Sequence, residues 1–142
     1  MSDAPTASSR PGVAWWSVVA TFVLGTLGLG AWLRWSLAGA GGLPVPFADL
    51  RHAHSHLGYF GVLFPLAWAG LATVGVATPG PGWRWFYARS TVVAAVGFVT
   101  GGYGPVAIGG CTAVALVWMV RAVALRGHLR RLRDPVGAVP FG

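Results

Sequence analysis

An all-α integral membrane bundle of about four transmembrane helices is the fold class this sequence predicts, and three observations carry it. Hydrophobic residues make up 55% of the chain and charged residues only 9%, against about 25% charged in a typical soluble domain. Four apolar segments are each long enough to cross roughly 30 Å of hydrocarbon. The cations, all arginine, gather at the ends of those segments, where they orient a membrane protein. A pI near 11.4 therefore does not point to nucleic acid, and the expected surroundings are a lipid bilayer.

Residues 1–12 form a polar N-terminal segment with Arg10. The first span runs from about Val13 to Leu33, with Trp15 and Trp16 at one end and Trp32 and Trp35 at the other, as two interfacial belts would require. It is too long for a signal-peptide core and lacks a small-residue cleavage site, so it reads as a retained helix. Gly25, Gly28 and Gly30 would let another helix approach closely. A Gly-rich loop follows, in which Pro44 and Pro46 stiffen the approach to the next helix. Asp49 there reads as an N-cap, or as an acidic partner to a histidine N–H.

The second span runs from about His52 to Ala77, with a kink expected at Pro65. The third, about Trp85 to Thr100, is the shortest. Gly101-Gly102-Tyr103-Gly104-Pro105 breaks the helix, and the fourth span covers about Val106 to Leu125. Residues 126–142 form a basic tail, and His128 lies within it among Arg126, Arg130 and Arg131. The placement of arginine gives a topology. Arg10, Arg84, Arg89, Arg121, Arg126, Arg130, Arg131 and Arg133 fall on one side, and Arg34 and Arg51 on the other. The positive-inside rule then puts both termini on the cytoplasmic side of a bacterial inner membrane. The absence of lysine fits a GC-rich bacterial genome.

Chemistry points to one place. His52, His54 and His56 stand at alternate positions where the second span begins, on the outer side. Imidazole is the commonest metal ligand, and ionisable groups at membrane depth tend to mark function. On a helix His52 and His56 share a face, with Tyr59 one turn on, whereas His54 points toward Gly58 and Gly61. His52 and His56 could clip one copper or zinc ion, or one histidine could be an axial haem ligand while the others hydrogen-bond nearby. The simpler alternative is that all three are interfacial anchors or a pH sensor. Asp49, Tyr59 and Tyr103 are possible supporting residues around them. The single cysteine, Cys111, lies beside Gly109 and Gly110 and reads as a packing residue; it excludes an intramolecular disulfide and a cysteine cage.

Catalysis by this chain alone has no other support. The spans carry no carboxylate for a general base, and no phosphate loop, HExxH or Ser/His/Asp set is present. The lack of acidic residues within the spans also argues against an ion-coupled transporter.

The stretch His52-Ala-His-Ser-His-Leu-Gly-Tyr-Phe-Gly resembles the histidine-bearing second helix of haem-copper oxidase subunit I. It looks closest to the divergent membrane proteins related to that subunit, including the NnrS-type haem and copper proteins. The resemblance implies a low-spin haem ligand at this end of the membrane, with His54 or His56 favoured. It covers about 20 residues. Four spans stand in place of the oxidase's twelve, a second histidine-bearing helix is absent, and so are the copper-site histidines. A second copy of the chain or a larger membrane complex would have to supply the rest. The function expected is a redox or metal-handling subunit; the alternative is a structural or assembly protein.

Overall fold

The computed structural model describes residues 11–39, 41–76 and 78–133. Among them the chain forms four helices and no strand. Helix α1 is Val13–Leu37, α2 runs unbroken through residues 47–73, α3 is Pro81–Gly101 and α4 is Pro105–Arg133. Arg10 and the end of the basic tail, residues 134–142, lie outside the described residues.

Helix starts follow proline and glycine rather than hydropathy. Helix α2 begins at Phe47, five residues before His52, because Pro46 in extended backbone sets its entry. Asp49 is therefore no N-cap. It sits in the first turn, where its carboxylate still complements the positive end of the helix. Pro81 and Pro105 occupy first helical positions, where a missing N–H costs nothing. Helix α4 continues to Arg133, well past Leu125; arginine, leucine and alanine all favour helix, and hydropathy marks only where lipid contact would end. At the end of α2, Gly75 adopts φ +81°. Its N–H bonds to the Ala72 carbonyl, and that of Val76 to Leu71, which closes a Schellman turn.

The kink expected at Pro65 takes the form of a π segment, Leu57–Leu63, in the middle of α2. The wider turn keeps the proline ring off the carbonyl of the preceding turn. Phe64 donates its N–H to Tyr59, five residues back. The next donor in that register would be Pro65, which has no N–H, so the Phe60 carbonyl loses its partner. Tyr87 on α3 replaces it, donating its hydroxyl to the Phe60 carbonyl at 2.6 Å.

Helices α3 and α4 make the most extensive contact, and α2 packs on both α3 and α1. Small residues set these distances. A Cβ at Gly97 would lie 2.5 Å from the Ala107 backbone nitrogen, and one at Gly110 would lie 2.5 Å from that of Ala94. On the other side of α2, Gly61 faces Phe22 and Gly58 faces Thr26 of α1. The main core is aromatic: Trp68 stacks between Trp15 and Trp118 and touches Tyr87. Trp15 is thus a core residue, only 6% exposed, and not part of an interfacial belt, whereas Trp16, Trp32 and Trp35 do face outward.

Two helical stretches, Val13–Leu37 and Pro105–Arg130, are long and apolar enough to cross a membrane. Their apolar side chains are mostly not used inside the protein. Leu24, Leu27, Leu116, Met119 and Val123 are all more than half exposed. A core helix of a water-soluble domain would bury such residues.

Candidate histidine site

Two connections meet at one end of the bundle. Asp49, in the first turn of α2, lies against Gly102 in the α3–α4 turn, where a Cβ would come within 2.8 Å of its Oδ1. Gly102 also has φ +56°, so this position favours glycine on backbone grounds as well. The contact fixes the start of α2 against the far end of α3, and the three histidines follow in the next two turns.

The helix divides them. His52 and His56 face α3, where both rings pack on Phe98. His56 stacks nearly parallel to that ring at 4.4 Å, and His52 lies tilted at 5.8 Å. The Tyr103 hydroxyl is 3.4 Å from His52 Nδ1, with the two rings in an edge-on arrangement. His56 Nδ1 is 3.8 Å from Cys111 Sγ on α4. Two aromatic contacts and a thiol therefore surround these imidazoles on the α3–α4 side.

His54 points the other way, onto α1. Its Nδ1 lies 2.9 Å from the Thr26 carbonyl oxygen. A carbonyl only accepts, so Nδ1 carries a proton, and the tautomer this contact selects has its lone pair on Nε2. The ring fits over Gly30, where a Cβ would meet Cε1 at 2.9 Å. His54 lines an open groove of about 560 Å³ between α1 and the start of α2, walled by Leu27, Leu33, Leu37 and Phe47 and carrying Arg34. Gly30→Val should push the imidazole off Thr26, whereas Gly28→Val, which adds a side chain in open space, should leave it in place. Nitrogen NMR of the labelled histidines checks this, the Nδ1–H tautomer of His54 disappearing only in the first variant.

Of the remaining residues singled out in the sequence, Tyr59 is 57% exposed, and no described ring contact or hydrogen bond joins it to the histidines. Asp49 is engaged with the α3–α4 turn. His128 lies about 25 Å further along α4 than Cys111, at 1.5 Å per residue. Among the described residues, no group of three or more His, Cys, Asp or Glu side chains could hold a metal ion. Each histidine face thus offers at most one or two donors.

Sequence reasoning missed Phe98, Gly30 as the seat of His54, and Cys111 as a neighbour of His56. Cys111 is 55 residues from His56, and no spacing pattern links them. Only its being the single thiol inside an apolar helix drew attention to it. No family model, curated protein or solved structure matches the chain.

Proposed function

We propose that this chain is a four-span inner-membrane protein that presents His54 to a haem or a transition-metal centre at the outer face, as a redox or metal-handling subunit. One observation carries the reading. His54 donates Nδ1–H to a backbone carbonyl, which selects the tautomer with its lone pair on Nε2, the arrangement found in metal-ligating histidines, where the second nitrogen is oriented by an acceptor. The groove suits a flat amphiphile with acidic substituents: its walls are apolar, and Arg34 can take a carboxylate. When bound, such a group would supply one-electron chemistry. The protein's part would be to fix the imidazole and balance charge. His54 would hold such a group by one donor only, so a second copy or a partner subunit would have to provide a further ligand.

Several facts support the membrane placement. The outward faces of α1 and α4 are apolar. Helix α2 is roughly 40 Å long and α3 roughly 32 Å at 1.5 Å per residue, which matches the hydrocarbon thickness in length. Eight arginines against two favour cytoplasmic termini, with the histidine end outside.

A second reading has its own observation. His52 and His56 are held by Phe98 and Tyr103 as ordinary packed rings, as expected of a structural or assembly protein with anchoring histidines. Absorption spectroscopy and metal analysis of the detergent-purified protein decide between them. The first reading predicts a Soret band or one equivalent of metal, lost in His54→Ala and kept in His52→Ala. A colourless, metal-free protein, whose triple histidine variant folds and associates normally, would establish the second.

A further inference from the structure

We propose that His56 and Cys111 form a separate binding site for a soft monovalent cation, with cuprous ion as the ligand class. This deepens the metal-handling reading, at residues other than His54 and on the opposite face of α2. The two donors come from different helices, and His56 Nδ1 and Cys111 Sγ are 3.8 Å apart. With metal–nitrogen and metal–sulfur bonds of about 2.0–2.1 and 2.3 Å, that separation subtends an angle of about 120° at a shared ion. This is a trigonal angle, with the third position open to an incoming donor.

The chemistry selects the ion. Thiolate is a soft ligand and favours Cu(I) over hard cations. On binding, the Cys111 S–H bond breaks, its proton leaves to solvent, and the sulfur–metal bond forms. His56 contributes the Nδ1 lone pair and keeps its proton on Nε2. One thiolate and one monovalent ion leave no net charge. A divalent ion would leave one positive charge in an apolar seam, where charge is costly to bury. The acidic residue nearest in sequence, Asp49, is held against Gly102. Zinc would also need two further ligands, and none are gathered here among the described residues. Phe98 stacked on His56 fixes the plane of the ring, and both His56 and Cys111 are only partly buried.

The full chain, purified in detergent under reducing conditions, is titrated with Cu(I) from a competing chelator and, in parallel, with Ag(I) as a redox-inert probe. The expected result is one ion per chain, with one sulfur and one nitrogen in its first shell by X-ray absorption. Cys111→Ser and His56→Ala should each weaken binding by more than about 100-fold, beyond the 10–100-fold typical of losing an outer-shell partner. His128→Ala, about 25 Å further along α4 than Cys111, should leave it unchanged. Should a variant fail to fold, Ag(I) protection of Cys111 from maleimide in the wild-type chain gives the same information. Binding that survives Cys111→Ser, or wild-type protein that takes up neither ion and leaves Cys111 unprotected, overturns the proposal. Loss of every His54-dependent signal with Cys111-dependent uptake intact would sink only the His54 reading.

Discussion

Gly110→Val is expected to destabilise the folded bundle by about 3 kcal/mol, the upper part of the range for overpacking a tight interior. The reason is local. The added Cβ alone would sit 2.5 Å from the backbone nitrogen and 2.8 Å from the Cα of Ala94, and backbone atoms of a helix cannot turn aside as a flexible side chain can. Helices α3 and α4 would have to separate. Gly97→Val attacks the same seam from the other helix, against the backbone of Ala107, and should cost a similar amount. Because both variants force the same separation, the double variant should cost less than the sum. The neighbouring Gly109 provides the control. It has nothing within 4 Å of an added Cβ, so Gly109→Ala should be neutral or stabilise by up to about 1 kcal/mol through helix propensity. Reversible denaturation in mixed micelles measures all four. Equal effects at positions 109 and 110 would mean that α3 and α4 do not approach so closely.

Tyr87→Phe should cost about 1–3 kcal/mol, the penalty for leaving a buried acceptor unpaired. Tyr87 is completely buried, and its hydroxyl stands in for the N–H that Pro65 cannot offer to the Phe60 carbonyl. In a buried, apolar setting no water replaces it, so proline inside a helix depends on such substitutes. The mechanism predicts a specific coupling. Pro65→Ala returns the backbone donor, so Tyr87→Phe should cost measurably less in that background. If the cost is the same with Pro65 in place and in the Pro65→Ala variant, the hydroxyl is not compensating for the proline.

Much of the architecture was legible because long apolar segments advertise helices by composition. The glycine and proline turns mark where one helix must end, and a run of apolar residues about 20 long has few alternatives to a helix. Residue spacing also separated His54 from the His52/His56 face, since a helical period of 3.6 leaves no choice. Boundaries were less legible. Hydropathy placed the start of the second helix at His52 and the end of the fourth at Leu125, whereas Pro46 and the helix-forming arginine-rich segment set the observed limits. Trp15 differs from the sequence expectation for a related reason: an indole at the end of an apolar run suits both an interface and a core, and only its contact with Trp68 decides.

What the sequence by itself determined is the helical class, the location of the histidines near one end of a helix, and their division between two faces. These follow from local periodicity and composition, which act over a few residues. What only the tertiary structure decided is what each face meets. The Thr26 carbonyl that sets the His54 tautomer is 28 residues away, and the thiol beside His56 is 55 residues away. Such pairings depend on how closely backbones approach at Gly30, Gly61, Gly97 and Gly110. A glycine in a sequence shows that close approach is possible; the packed helices alone show which partner takes the space.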